Sequence, residues 1–186
     1  MTGFPGSAAA FVALALWGNP PSRTRVPGAL TERFIAPASR IALAAALADQ
    51  GGEHAAIDIR DGLGADLARL AAASGVGARV VDELLPGDEA IHGAVRALTA
   101  AAGQERGPLP AEEGELLPHL QLGPGDDYEL LLAVDPAAWE RCEALAAAHG
   151  APLTLIGGFT AEPALERVRR GGAAGPLEPR GWDHFA

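Results

Sequence analysis

The stretch at residues 55–70, AAIDIRDGLGADLARL, changes from the pattern of a strand to that of a helix within a few residues. It starts with a short apolar run that contains two isoleucines, a residue type that favours strands. Leucines then recur at the spacing of one helix face. The sequence therefore predicts a strand at 55–59 followed directly by a helix at 62–74. Two aspartates, Asp58 and Asp61, lie at the junction.

The same alternation continues along the chain and predicts a single α/β (α+β) domain over 1–186. We expect a mixed sheet with helices packed mainly on one face. Further strands are predicted at 76–85, 127–134 and 152–159, and further helices at 7–17, 29–37, 38–49, 87–103 and 136–150, followed by a hairpin in the tail. The stretch 104–118 contains proline, glycine and acidic residues and is predicted to be a loop.

The apolar stretch 7–17 has the length of a signal-peptide core, but no lysine or arginine precedes it. We interpret it as a core helix capped by Ser7. No apolar run reaches the ~20 residues that a membrane span requires. The single cysteine, Cys142, cannot form an internal disulfide and is predicted to be a buried thiol. These features favour a cytoplasmic protein that does not contact a membrane.

The charge of the chain narrows the classes of function. The formal net charge is −10, and all 14 basic residues are arginines. The sequence therefore offers no lysine for a Schiff base or for a phosphate-binding loop. Such an acidic chain repels the phosphates of nucleic acids, so we expect no nucleic-acid partner.

Asp58 and Asp61 are candidate ligands of Mg²⁺, which prefers carboxylate oxygens together with water and phosphate. Gly62 would let a ligand approach the backbone, and the first amides of the following helix would face an anion. The alternative is structural: Asp61 caps the helix, and Asp58 is solvated at the end of a strand. The pattern D-x-x-D-G is common, so it does not decide between the two.

Two further stretches are candidate sites. In GPGDDYELLL (123–132), adjacent aspartates that include Asp126 precede a predicted buried strand. In GWDHF (181–185), Trp182 could pack on a ring-shaped ligand. The structural alternatives are a polar turn before a strand and a tail that an aromatic residue anchors to the core.

These stretches occur in one order with TGFPGSAAA (2–10), ASGVGA (73–78) and LIGGF (155–159). In that combination, together with AIDIRDGLGADL (56–67), the chain resembles the C-terminal domain of thiamine-monophosphate kinase over nearly its whole length. The group around this family includes aminoimidazole ribonucleotide synthetase, selenophosphate synthetase and a hydrogenase-maturation protein. The resemblance implies the C-terminal domain fold of that group and the ATP- and Mg²⁺-dependent phosphorylation of thiamine monophosphate to thiamine diphosphate.

The resemblance also implies roles for individual residues. Asp58 and Asp61 match the magnesium ligands of the family's C-terminal domain. Arg60 stands where the family has a serine that contacts ATP, and Asp126 stands where a glutamate contacts the thiamine moiety. Trp182 matches the aromatic residue that packs on the substrate.

Arg60 departs from the family's serine, and two consequences are open. Its guanidinium could pair with Asp58 or Asp61 and compete with Mg²⁺, or it could bind phosphate directly. From the sequence we expect the first, so that Arg60→Ser tightens Mg²⁺-dependent binding of thiamine diphosphate; weaker binding would instead identify Arg60 as a phosphate ligand.

In the family, an N-terminal domain supplies most of the ATP and magnesium ligands, and we expect it to be absent from this chain. The expectation is therefore a C-terminal part of a thiamine-monophosphate kinase that is inactive alone and works with a separate polypeptide. The alternative is a non-catalytic binding or scaffold module that kept the fold.

Overall fold

The computed structural model describes residues 1–17, 26–51, 54–100 and 109–182. Within these ranges the helices are α1 (Ser7–Trp17), α2 (Gly28–Ile35), α3 (Ile41–Asp49), α4 (Leu63–Ser74), α5 (Glu89–Ala100), α6 (Glu113–Leu122) and α7 (Trp139–Ala148). The strands are β1 (His54–Ile59), β2 (Gly77–Val81), β3 (Glu129–Val134), β4 (Gly157–Thr160), β5 (Leu165–Val168) and β6 (Ala174–Pro176). No helix in these ranges has both the length and the apolar character that crossing a membrane requires.

The strands form a mixed sheet and a separate pair. The mixed sheet has the order β4-β2-β5-β6, in which β2 and β5 are parallel and the other neighbours are antiparallel. The pair consists of β1 and β3, which run antiparallel with Asp58 opposite Leu130. The α/β class and the mixed sheet are confirmed, and the separate β1–β3 pair is an addition that the sequence did not predict.

The strand followed directly by a helix is confirmed, because β1 ends at Ile59 and α4 begins at Leu63. The hairpin predicted in the tail is formed by β5 and β6. The strand predicted at 152–159 is regular only from Gly157, and before it Leu153 makes an isolated bridge to Thr2. The strand predicted at 76–85 ends at Val81, where a short 3₁₀ turn follows.

The loop predicted at 104–118 is wrong for its second part, because α6 begins at Glu113 and contains Pro118. The reason is burial: Leu116, Leu117 and Leu120 pack in an apolar cluster with residues of α1 and α5. This packing outweighs the local preference of proline and glycine against helix. Residues 101–108, which include the end of the helix predicted at 87–103, lie outside the described residues.

Helix α4 places the β1–α4 junction against the core. Leu63, Leu67 and Leu70 of α4 are buried together with Ile59 at the end of β1 and Val80 of β2. A second cluster lies among α1, α2, α5 and α6, and a third joins α3 and α7 to β3. Cys142 belongs to the third cluster and is buried, as predicted.

The N-terminus of α1 is capped by a residue that is distant in sequence. The amides of Gly6 and Ala8 donate to the two carboxylate oxygens of Asp127, at 2.8 and 3.0 Å. The predicted Ser7 cap is therefore wrong: its hydroxyl donates to the carbonyl of Phe4 at 2.8 Å. Burial raises the pKa of Asp127 to about 6, although the hydrogen bonds from these backbone amides act in the opposite direction.

This pKa shift predicts a pH dependence of stability. The folded pKa of Asp127 lies above its ordinary value of 3.8, so the folded state holds this proton more tightly than the unfolded state. The stabilisation is fully present below about pH 4 and is lost as the pH rises through about 6. Asparagine does not titrate, so the free energy of unfolding of the wild type minus that of Asp127→Asn should fall between pH 4 and pH 7 in urea titrations. A difference that stays constant over this range would contradict the assignment.

Candidate functional site

One buried carboxylate fixes the turn between β1 and α4. The backbone amides of Arg60, Asp61 and Gly62 all donate to Oδ2 of Asp66, at 2.9, 3.1 and 3.2 Å. In the structural alternative, Asp61 would cap the helix. The residue that caps this turn is instead Asp66. Gly62 has a φ of +128°, a conformation that favours glycine. The turn therefore has a single well-defined backbone path.

The side chain of Asp61 faces two arginines. Nη1 of Arg69 lies 2.6 Å from Oδ2 of Asp61 and 2.5 Å from Oδ1 of Asp66. Nε of Arg60 lies 3.5 Å from Oδ1 of Asp61. The hydrogen bond with Asp66, together with the charges of Asp61 and Asp66, raises the pKa of Arg69, so that it stays protonated. The nearer cationic partner of Asp61 is thus Arg69, on the second turn of α4.

A second loop docks on this turn through its backbone. The amide of Asp126 donates to the carbonyl of Arg60 at 2.7 Å, and the amide of Tyr128 donates to that of Ile59 at 2.9 Å. Asp126 and Tyr128 have positive φ angles, 75° and 53°, which are uncommon for residues other than glycine. A Cβ atom at Gly125 would collide with the carbonyl oxygen of Arg60 and the amide nitrogen of Gly62. The loop can therefore reach the turn only with glycine at 125.

The tail of the described chain reaches the same turn. The amide of Trp182 donates to the carbonyl of Asp61 at 2.8 Å. Trp182 as a whole residue is 63% exposed, which is a large fraction for a tryptophan. Residues 183–186, which include the rest of the GWDHF motif, lie outside the described residues.

These three segments surround an open pocket of about 400 Å³. Its lining includes Arg60, Asp61, Asp126, Tyr128 and Trp182. The structure thus brings together four of the five residues selected from the sequence. The fifth, Asp58, is exposed on β1 and is not among the residues of this lining.

The sequence prediction assigned Mg²⁺ to Asp58 and Asp61, and of these two residues only Asp61 lines the pocket. One oxygen of Asp61 is in contact with Arg69 and the other lies near Arg60. In the described part of the chain, no group of three or more His, Cys, Asp or Glu side chains is arranged to hold a metal ion. Carboxylate oxygens suit Mg²⁺. At Asp61, however, the guanidinium groups of Arg69 and Arg60 already face the carboxylate.

Another cavity, of about 450 Å³, contains none of the five predicted residues. It is lined by His119, Arg167 and Arg180 among others. Arg167 forms a bidentate salt bridge with Asp82, with both nitrogen–oxygen distances at 2.8 Å. Nη2 of Arg180 lies 3.1 Å from Oε2 of Glu178. Four of the five residues selected from the sequence line the other cavity, so the cavity of Arg60 and Trp182 is the candidate site.

The fold is that of a C-terminal domain in a group of larger proteins, as solved structures show. The structure of AaThiL complexed with AMPPCP and TMP matches 99% of this chain and 50% of that chain, with a TM-score of 0.68 and 24% identity. The thiamine-monophosphate kinase of Stenotrophomonas maltophilia K279a matches 89% of this chain and 48% of that chain, with a TM-score of 0.66 and 29% identity. Escherichia coli HypE, a hydrogenase maturation protein, matches with a TM-score of 0.67 and 22% identity, over 98% of this chain and 49% of that chain.

The chain belongs to the family described as AIR synthase related protein, C-terminal domain, whose model matches residues 28–169. Among curated proteins, it is 31% identical to the thiamine-monophosphate kinase of Salmonella typhimurium over 186 residues, which are 100% of this chain and 51% of that protein. It is 32% identical to that of Caulobacter vibrioides over 171 residues, which are 92% of this chain and 43% of that protein. The chain thus spans about half the length of the curated relatives that it matches.

Sequence reasoning did not single out Asp66, Arg69 or Tyr128. An available signal for Asp66 was its place in the first turn of α4, where an acidic side chain can accept hydrogen bonds from the preceding amides. The spacing of Asp66 and Arg69, three residues apart on a helix, was a signal for their ion pair. For Tyr128, only the positive φ observed in the structure indicates a special position.

The close approach at Gly125 predicts the effect of a single methyl group. Gly125→Ala should lower the free energy of unfolding by about 1–3 kcal/mol, because the added atom forces the loop away from the turn. Gly158→Ala in β4 is the matched control, since nothing lies within 4 Å of a Cβ there. Urea unfolding of both variants measures the two costs. A Gly125→Ala protein as stable as the control would show that the loop does not need this contact.

Proposed function

We propose that this chain is the substrate-binding half of a thiamine-monophosphate kinase and that the pocket of Arg60, Asp126 and Trp182 binds the thiamine phosphate. The observation that carries this proposal is the convergence of these residues from three separate segments on one pocket. The kinase names of the curated relatives support the choice of ligand.

The chemistry of the pocket suits a cationic heterocycle that carries a phosphate. The exposed ring of Trp182 can stack on a positively charged ring, an arrangement that aromatic side chains favour. The carboxylate of Asp126 supplies the negative charge, and the hydroxyl of Tyr128 lies 3.5 Å from one of its oxygens. Thiamine combines a cationic ring with an aminopyrimidine. The aromatic ring of Trp182 and the carboxylate of Asp126 together suit a ligand of this kind.

We propose that Arg60 binds the phosphate. Asp61 has a nearer partner in Arg69, at 2.6 Å against 3.5 Å for Arg60. The Arg60 side chain is 55% exposed and lines the pocket, so its guanidinium can turn towards a ligand. Planar guanidinium groups bind phosphate oxygens in pairs, which favours this role over competition with a metal.

The proposed reaction of the whole protein is ATP-dependent phosphorylation of thiamine monophosphate to thiamine diphosphate. The complex of AaThiL with AMPPCP and TMP supports ATP as the phosphoryl donor. The magnesium role of Asp58 and Asp61 stays a prediction, and at Asp61 it requires that Arg69 move away. A separate polypeptide that completes the metal and nucleotide sites is part of the same proposal.

A non-catalytic binding module is the second candidate function. The contact of Arg69 with Asp61 favours it, because a carboxylate held by an arginine is a poor metal ligand. Both candidates bind thiamine phosphates, and only the first contributes to phosphoryl transfer.

Calorimetric titration with thiamine and thiamine diphosphate tests the pocket. Arg60→Ser should weaken binding of thiamine diphosphate about tenfold or more and leave thiamine itself unaffected, because only the phosphate contact is lost. Trp182→Ala should weaken binding of both. Arg79→Gln is the control, since Arg79 forms an exposed ion pair with Glu166 on β2 and β5. If Arg60→Ser instead tightens binding of thiamine diphosphate in the presence of Mg²⁺, Arg60 competes with the metal and the phosphate role is wrong.

Formation of thiamine diphosphate from thiamine monophosphate, ATP and Mg²⁺ separates the two candidate functions. We expect no appreciable turnover by this chain alone. Activity should appear when the N-terminal half of a thiamine-monophosphate kinase relative is added, because the resemblance assigns most of the ATP and magnesium ligands to that half. Robust turnover by the chain alone would refute the need for a partner, and binding without turnover in the mixture would favour the non-catalytic module.

A further inference from the structure

The charge balance around Asp61 is unusual for a residue expected to face a metal. Its side chain is 7% exposed, and each carboxylate oxygen has a guanidinium group near it. Arg69 contacts Oδ2 at 2.6 Å, and Arg60 lies 3.5 Å from Oδ1. Two guanidinium groups therefore lie next to one buried carboxylate.

Arg69 is held at Asp61 by a second contact, with Asp66. Its Nη1 also lies 2.5 Å from Oδ1 of Asp66, whose side chain is 3% exposed. The other oxygen of Asp66 accepts hydrogen bonds from the three backbone amides of the β1–α4 turn. Asp66 therefore cannot move without breaking these hydrogen bonds. Exposed ion pairs contribute little to stability, but here both carboxylates are buried and fixed. Arg69 therefore bridges two anchored acids.

We propose that Arg69 is the resident counter-charge of Asp61 and takes the place that a divalent cation would otherwise occupy there. A divalent ion approaching Asp61 meets one guanidinium in direct contact with the carboxylate and a second one beside it. Mg²⁺ and Mn²⁺ both need carboxylate oxygens that are not already engaged. The inference rests on the same pocket as the proposed function, but its test needs no thiamine compound.

The test is the binding of Mn²⁺ alone, followed by the electron paramagnetic resonance signal of the free ion. Arg69→Gln should bind Mn²⁺ at least about tenfold more tightly than the wild type, because Asp61 and Asp66 lose their shared cation. In the double variant Asp61→Asn/Arg69→Gln this gain should disappear. Arg96→Gln is the control, since Arg96 pairs with exposed Glu89 on α5 and should leave the affinity unchanged.

A second comparison does not depend on the folding of Arg69→Gln. In the wild-type background, Asp61→Asn should leave the Mn²⁺ affinity unchanged, because Asp61 is not a metal ligand when Arg69 is present. A loss of affinity in Asp61→Asn would overturn the proposal, and so would an unchanged affinity in a folded Arg69→Gln. Failure of thiamine diphosphate to bind in calorimetry would refute the proposed function and leave this result standing.

Discussion

The candidate site depends on three hydrogen bonds, in which three consecutive backbone amides donate to one carboxylate oxygen of Asp66. A buried carboxylate is costly unless hydrogen bonds and a cation satisfy it. Asp66 has both, because Arg69 contacts its second oxygen. The amides of the β1–α4 turn consequently point inward to Asp66, and carbonyl groups of the same segment remain to bind other parts of the chain.

Two other segments use these carbonyls. The loop before β3 donates to the carbonyls of Ile59 and Arg60, and the tail donates from Trp182 to the carbonyl of Asp61. The pocket is thus assembled through main-chain hydrogen bonds. Arg60, Asp126 and Trp182 are therefore able to line it. A pocket built in this way can tolerate a change of side chain at position 60 without loss of its shape.

Much of this arrangement could be predicted from the sequence, since the change from strand to helix at 55–70 is a local pattern. The convergence of Arg60, Asp126 and Trp182 was expected only by resemblance, because pairing between distant segments has no local signal. Asp127 shows this limit: its partners are amides of Gly6 and Ala8, about 120 positions away. The loop predicted in place of α6 failed for the related reason that burial of leucines decided the structure there.

We propose that the Asp66-organised turn presents Arg60 to the phosphate of a thiamine phosphate whose ring packs on Trp182. A crystal structure of the chain with thiamine diphosphate tests it most directly. We expect phosphate oxygens within hydrogen-bonding distance of the Arg60 guanidinium, the ring against Trp182, and the Arg69–Asp61 contact unchanged. A structure in which thiamine diphosphate binds elsewhere, with this pocket occupied only by water, would show that Arg60 and Trp182 do not form the binding site.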